Sequence, residues 1–208
     1  MLTHEEITEF FTQADGSFCL ARWERPIVPV VFGVEDASLE VVKGAIEAVV
    51  ALAGHKMAET DPEQGANLMV FFFRDWAELN DVPDMDKLVP GIAELTGRLA
   101  ADGANQYRHF RMEGNGAIRA AFVFLRMDDA LSDIPAEDLA LAQAAQVILL
   151  WGARAFAEKS PLAVAGKTVI LRPEIGALIR AAYDPSMPAA SSDPVQAMRL
   201  AARIGVMS

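Results

Sequence analysis

One apolar segment, residues 135–156, restricts most strongly how this chain can fold. A hydrophobic, strand-like stretch at residues 117–127 precedes it, and an acidic turn separates the two. The segment opens with Pro135 and two acids, which suit a first helical turn because proline needs no N–H there and acids face the positive end of the helix dipole. From Leu139 to Phe156 apolar residues fall on every side, so the sequence predicts a central helix that is buried all round.

The surroundings of this helix are either a protein core or a lipid bilayer, since a membrane span needs about 20 residues. Gln143, Gln146 and Arg154 interrupt the apolar run, which favours a protein core. A buried amide without a hydrogen-bond partner costs about 1–3 kcal/mol. The two glutamines must therefore find partners inside the fold, and we take Gln143 and Gln146 as candidate binding residues.

Length and composition favour a single domain over residues 1–208. A chain of 208 residues that is 52% hydrophobic can bury a sizeable core. The capping box formed by Thr3 and Glu6 predicts a short helix within residues 1–16, appended to the domain. Residues 184–208 predict a linker followed by a last helix.

Charge and cysteine content exclude several classes of function. The formal net charge is -11 and no run of lysine or arginine occurs, so nucleic acid is not an expected partner. A single cysteine, Cys19, excludes an intramolecular disulfide framework. The acidic N-terminus lacks the features of a signal peptide. We expect a cytoplasmic protein without a membrane partner, although a chain trimmed of its signal would look the same.

The patterns along the rest of the chain predict an α+β fold, in which a mixed, mostly antiparallel sheet of about four or five strands packs against helices. Pro29 indicates a strand that lies at an edge or carries a bulge, and the Asn115-Gly116 pair is typical of an antiparallel hairpin. The stretch at 66–73 is apolar throughout, as a strand buried on both faces would be. Strands are predicted at 18–23, 26–33, 66–73, 106–112, 117–127 and 168–171, helices at 38–53 and 86–101, and a loop at 159–166.

One strand carries a candidate binding cluster. Tyr107, His109 and Arg111 alternate along it and therefore share a face, with Arg119 across the hairpin. Together these four side chains suit an anionic ligand. The alternative interpretation is a solvated polar strand face.

Metal-binding patterns are weak in this sequence. The three histidines, His4, His55 and His109, lie far apart, and none has a second ligand at zinc spacing. The acids at 128–129 and 137–138 either hold a hard cation or cap helices, and the helix dipole favours capping. We expect neither a metal nor another cofactor.

Two stretches of the chain carry short motifs that point to a known family. The first comprises Trp23, residues 26–30, residues 52–54 and residues 66–70. The second comprises Leu171, Leu178, Ile179-Arg180, Tyr183-Asp184-Pro185 and Met187. Together they resemble a bacterial domain family of unknown function with a zincin-like layout, related to the metzincin peptidases. The resemblance covers roughly residues 20 to 190 and implies a zincin-like fold.

The resemblance also implies that the chain lacks the zincin active site. Zincins carry His-Glu-x-x-His on the central helix, where two imidazoles bind zinc and the glutamate is the general base. Aligned by that helix, residues 142–146 read Ala-Gln-Ala-Ala-Gln, with Gln143 at the glutamate position and Gln146 at the second ligand. A neutral amide is a weak zinc ligand and no general base.

Three hypotheses about function follow from these observations. The first is a non-catalytic, zincin-like module that binds a peptide or protein, along an exposed sheet edge for example. The second is a hydrolase with a site near His109 or Asp128. The third is a structural subunit of an oligomer.

Overall fold

The computed structural model describes residues 2–207. Its helices are α1 (His4–Phe10), α2 (Asp36–Leu52), α3 (Met85–Leu88), α4 (Ile92–Ala101), α5 (Asp129–Ser132), α6 (Ala136–Val147), α7 (Pro173–Ala182) and α8 (Val195–Met207), with a 3-10 helix at Trp76–Asp81. Its strands are β1 (Leu20–Ala21), β2 (Pro29–Phe32), β3 (Leu68–Phe73), β4 (Gln106–Met112), β5 (Ile118–Arg126), β6 (Leu162–Ala165), β7 (Thr168–Leu171) and β8 (Ala190–Ser191). Each strand that the sequence predicts is present, and β6 and β8 are additional.

The main sheet has the strand order β2-β3-β5-β4. In it β2 and β5 run parallel to β3, while β4 runs antiparallel to β5 as the outer strand. Two small antiparallel sheets, β1 with β8 and β6 with β7, complete the strand pairing. The predicted α+β class with mixed, mostly antiparallel sheets is confirmed. Pro29 lies on an edge strand, as its missing N–H required.

The main sheet is covered on both faces. On one face, called the α6 face, Leu68, Val70 and Val123 lie in a core that includes α2 and α6. On the other, called the α4 face, Phe71 and Phe122 pack with the 3-10 helix, α3 and α4. Successive side chains of β3 alternate between the two cores, which explains why its sequence is apolar without interruption.

The N-terminal helix contributes to the larger core. Ile7 and Phe11 are completely buried in the α6-face cluster, together with residues of α7 and α8. The predicted helix at 86–101 consists of α3 and α4, separated at Gly91, where the backbone adopts a φ of 74°. This pair covers the α4 face of the sheet instead of lying free on the surface.

The central helix α6 begins after Pro135, as predicted, but it ends at Val147 and not at Phe156. Beyond it the chain becomes extended, and Leu149 forms a bridge with Arg22. The apolar run therefore consists of a short helix, a buried extended segment that reaches Gly152 and a more exposed turn at residues 153–156. Within residues 2–207, no helix combines the length and apolarity that crossing a membrane requires.

Three aromatic side chains stabilise the end of α6. The last carbonyl groups of a helix have no partner within the helix. Here they accept hydrogen bonds from two indole N–H groups and a phenol. The bonds run from Trp151 Nε1 to the Ala145 oxygen (2.9 Å), from Trp23 Nε1 to the Val147 oxygen (2.8 Å) and from Tyr183 Oη to the Ile148 oxygen (2.8 Å). The helix ends where these side-chain donors replace its own N–H groups.

Candidate functional site

The outer edge of β4 carries backbone groups that no strand covers. The Arg126 N–H donates to the Asn105 oxygen (2.8 Å), which fixes the phase of the antiparallel ladder with β5. Because bonded and non-bonded pairs alternate in such a ladder, the N–H and C=O groups of Gln106, Arg108 and Phe110 point away from β5. Among residues 2–207 these outward groups have no hydrogen-bond partner. The edge is therefore a template for a further strand.

The opposite edge of the main sheet, at β2, is protected. Pro29 has no N–H to offer there. Just before it, the Ile27 N–H donates to the Lys56 oxygen (3.0 Å), and the Ala58 N–H donates to the Ile27 oxygen (3.1 Å). Proline and a paired neighbour are common means of blocking an edge strand. The edge at β2 therefore leaves mainly the outward groups of Val31 uncovered, and the edge at β4 presents the longer open row.

Beside the open edge lies a polar network that joins β4 to α6. Arg108 Nη2 donates to Gln143 Oε1 (2.5 Å) and to Gln106 Oε1 (3.0 Å). Gln143 Nε2 also donates to Gln106 Oε1 (3.0 Å). Gln143 is buried, as the apolar helix predicted, and this network supplies the partners that its amide requires.

The positive charge of Arg108 has no acidic partner. Both acceptors of its Nη2 are neutral amides, and no carboxylate of residues 2–207 forms an ion pair with it. Its Nε atom is fully enclosed without a hydrogen bond, whereas Nη1, also without a described partner, is not enclosed. Burial lowers the pKa of Arg108 to about 10. Charges removed from water are normally paired with an opposite charge, and the guanidinium of Arg108 lacks such a partner.

The predicted cluster of Tyr107, His109 and Arg111 lies on the α4 face, opposite Arg108. The Tyr107 ring stacks on Phe124, with centroids 6.4 Å apart, and the His109 ring lies 6.0 Å from Phe122. Burial, together with Arg111, lowers the pKa of His109. These three residues share a face, as predicted, but that face packs on the smaller core and its side chains are half-buried.

Arg111 is engaged by the backbone of α3. Its guanidinium lies 5.3 Å from the centroid of the Phe122 ring. Nη2 donates to the carbonyl oxygens of Lys87 (2.5 Å) and Leu88 (2.6 Å). These contacts tie α3 to the sheet through the residue that the sequence offered as an anion ligand.

Arg119 belongs to a separate charged cluster, which we call the Arg25 cluster. It pairs with Glu63 (3.3 Å), which also contacts Arg25 (3.4 Å). Arg25 in turn binds Asp61 (3.0 Å) and Glu113. The structure therefore does not place Arg119 with Tyr107, His109 and Arg111.

The other candidate residues make local contacts. Gln146 Nε2 donates to the Ala142 oxygen of its own helix (3.1 Å). Asp128 accepts the Leu131 N–H (3.0 Å) at the start of α5, a bond that lowers its pKa, and it also contacts Asn105 and Arg126. Among residues 2–207, no group of three or more histidine, cysteine, aspartate or glutamate side chains is placed to hold a metal ion.

A cavity of about 540 Å³ opens elsewhere, between α1, residues 153–160 and the start of α7. Most of its charged lining residues pair with one another, and Glu174 contacts both Lys159 (3.5 Å) and Arg172 (3.8 Å). Two further acids in the lining, Glu6 and Glu9, form no ion pair within residues 2–207. Since every cation of the lining already has an acidic partner, the cavity lacks an uncompensated cation such as the one beside β4.

Two residues of the candidate site, Gln106 and Arg108, were missed by the sequence reasoning, which selected the other face of the same strand. The alternation that groups Tyr107, His109 and Arg111 also groups Gln106, Arg108 and Phe110. The available signal was the combination of this second face with a buried glutamine on α6 that needed a donor. Neither the strand alternation nor the buried glutamine identifies Gln106 and Arg108 by itself.

Comparisons with family models, with curated proteins and with solved structures found no match to this chain. The site is therefore interpreted from its own geometry.

Proposed function

We propose that this protein is a non-catalytic, zincin-like module that binds an extended peptide by strand addition to the outer edge of β4. The observation that carries the proposal is the row of outward N–H and C=O groups on Gln106, Arg108 and Phe110, without partners in residues 2–207. Main-chain hydrogen bonds to such an edge supply affinity, and the side chains beside it supply specificity.

The chemistry of the central helix supports the non-catalytic part of the proposal. Gln143 occupies the position at which the zincin pattern has its general base, and its amide is engaged by Gln106 and Arg108. Gln146, at a zinc-ligand position, donates back to its own helix. An amide neither abstracts a proton at neutral pH nor ligates zinc strongly.

Charge favours a peptide over a second copy of the chain as the occupant of this edge. If two β4 edges paired antiparallel so that the outward groups of Gln106, Arg108 and Phe110 all met, Arg108 of one copy would lie opposite Arg108 of the other. Like charges directly opposite each other in a sheet are destabilising. A peptide without a cationic residue opposite Arg108 avoids this repulsion.

The test is a titration of ¹⁵N-labelled protein with a blocked peptide of alternating threonine and valine, seven residues long to match β4. We expect shifts in the amide signals of Gln106, Arg108 and Phe110, with little change at Val31 on the protected edge. Absence of shifts at β4 would contradict the proposal. Formation of a dimer without peptide, with the β4 edge covered by the second copy, would also contradict it.

A pair of N-methylated peptides distinguishes strand addition from simple side-chain contact. In an added strand, alternate N–H groups face β4 and the others face solvent. Methylation of the facing set is expected to weaken binding at least about tenfold, which equals 1.4 kcal/mol. Methylation of the other set leaves binding nearly unchanged. Equal effects of the two sets would exclude strand addition.

A further inference from the structure

Resting on the proposed peptide-binding function, we infer that Arg108 is a carboxylate-binding subsite that selects peptides with an acidic residue opposite it. The subsite comprises the guanidinium of Arg108 and the amides of Gln106 and Gln143, which hold that guanidinium in place. The ligand class is an extended peptide carrying aspartate or glutamate at one defined position.

The geometry of strand addition brings the ligand side chain to Arg108. Backbone groups of Arg108 point outward from β5, so an antiparallel peptide residue opposite Arg108 forms a hydrogen-bonded pair with it, with Cα atoms about 5.5 Å apart. Directly paired residues project to the same face of the sheet. The peptide side chain therefore lies on the α6 face, beside the guanidinium.

The hydrogen-bond inventory leaves one donor group for this ligand. Nη2 is used by the two glutamines, and Nε is enclosed. Nη1 has no partner among the described residues and is not fully enclosed, so a carboxylate oxygen can reach it. A hydrogen bond between two charged groups is roughly twice as strong as one between neutral groups.

The charges elsewhere in the chain do not favour an acidic peptide. The chain carries a formal net charge of -11, so non-specific electrostatics oppose an acidic peptide. Glu113, in the turn of the same hairpin, is bound to Arg25, and Asp128, beyond the end of β5, is bound to Arg126. Any preference for an acidic peptide must therefore arise from a local contact.

The experiment compares two blocked seven-residue peptides of alternating threonine and valine that differ only at the central residue, glutamate in one and glutamine in the other. Dissociation constants are measured at neutral pH for the wild type, Arg108→Met and Arg108→Lys. We expect the wild type to bind the glutamate peptide about tenfold more tightly, which equals 1.4 kcal/mol, since a hydrogen bond between two charged groups is stronger than one to a neutral amide. Arg108→Met should lose this preference while still binding the glutamine peptide, and Arg108→Lys should retain part of it.

Each contrary outcome has a separate meaning. Equal binding of the two peptides by the wild type overturns the carboxylate subsite and leaves strand addition standing. A preference that survives in Arg108→Met also overturns it, because another cation would then be responsible. Failure of both peptides to shift the β4 amides overturns strand addition and the subsite together.

A pH series on the wild type adds an independent check. The preference for glutamate should fall as the pH drops through about 4.3, where that side chain gains a proton. The affinity for the glutamine peptide should not change in step with it. A preference that is constant between pH 7 and pH 3.5 would contradict the ionic contact.

Discussion

Arg25 and Arg108 both lie against the main sheet, but their surroundings are opposite in character. Arg25 contacts three carboxylates, those of Asp61, Glu63 and Glu113. Arg108 contacts two neutral amides and no acid among residues 2–207. The first cation is neutralised within the chain, as structural ion clusters are, and the second retains a charge that a ligand can neutralise.

This difference teaches which charged site to assign to folding and which to binding. Asp61 is 4% exposed, and its carboxylate also accepts the N–H groups of Glu63 and Gln64 and a donor from Asn67. The Asp61 carboxylate and the Arg25 guanidinium therefore both have their partners within the chain. The Arg108 network leaves a donor open beside an unpaired strand edge, which is where recognition needs one.

The largest effect is expected from Arg25→Met. The substitution leaves the buried Asp61 carboxylate without its cation, and breaking a buried pair from one side costs about 3 kcal/mol or more. Urea unfolding measures the loss. Arg119→Met is the matched control, because its pair with Glu63 is exposed and should cost less than about 1 kcal/mol. Equal losses of unfolding free energy in the two variants would contradict the interpretation of Arg25 and Asp61 as a buried ion pair.

Acid should weaken the same cluster within a defined pH range. Burial of Asp61 raises its pKa, but hydrogen bonds from Glu63, Arg25, Gln64 and Asn67 outweigh burial and lower the value to about 2. Because the folded pKa lies below the unfolded one, the stabilisation is complete above pH 4 and is lost as the pH falls towards 2, by about 2 kcal/mol. Unfolding measured from pH 5 to pH 2 should show this slope in the wild type. In Asp61→Asn the contribution of residue 61 disappears, and a slope identical to the wild type would contradict the assignment.

Two tyrosines extend the comparison of paired and unpaired groups to neutral hydrogen bonds. The Tyr183 hydroxyl donates to the Ile148 oxygen and accepts the Trp23 N–H, at 2.8 and 3.3 Å. Tyr183→Phe should therefore cost about 1–2 kcal/mol of unfolding free energy. The Tyr107 hydroxyl has no hydrogen-bond partner within residues 2–207, so Tyr107→Phe should change stability by less than about 0.5 kcal/mol. Denaturant midpoints of the two variants test the difference, and a reversed order would contradict it.

Of the two arginines compared, Arg108 is expected to show the smaller effect on stability when it is changed to methionine. Removing an uncompensated, half-buried charge is favourable, while the lost donor to Gln143 is unfavourable, so the net change should stay below about 1 kcal/mol. The measurement is unfolding of the protein without peptide, beside Arg25→Met. A loss comparable to that of Arg25→Met would show that Arg108 serves the fold and would remove the contrast between the two cations.

Local sequence patterns determined much of the architecture. Proline chemistry placed Pro29 on an edge strand and Pro135 at the start of α6, and Asn115-Gly116 marked the β4–β5 hairpin. Strand alternation placed Tyr107, His109 and Arg111 on one face. These features depend on backbone conformation and periodicity within a few residues, which the sequence displays directly.

The end of α6 and the composition of the candidate site were decided by the tertiary structure. The helix ends at Val147 because Trp23, 124 residues earlier in the chain, donates to its carbonyl, and Tyr183 donates to the next one. Arg108 meets Gln143 across 35 residues, and the open edge exists because β4 is outermost in the sheet. Such pairings depend on which elements pack together, and the same local pattern is compatible with many packings. The sequence therefore determined which residues share a face, and packing alone determined what each face meets.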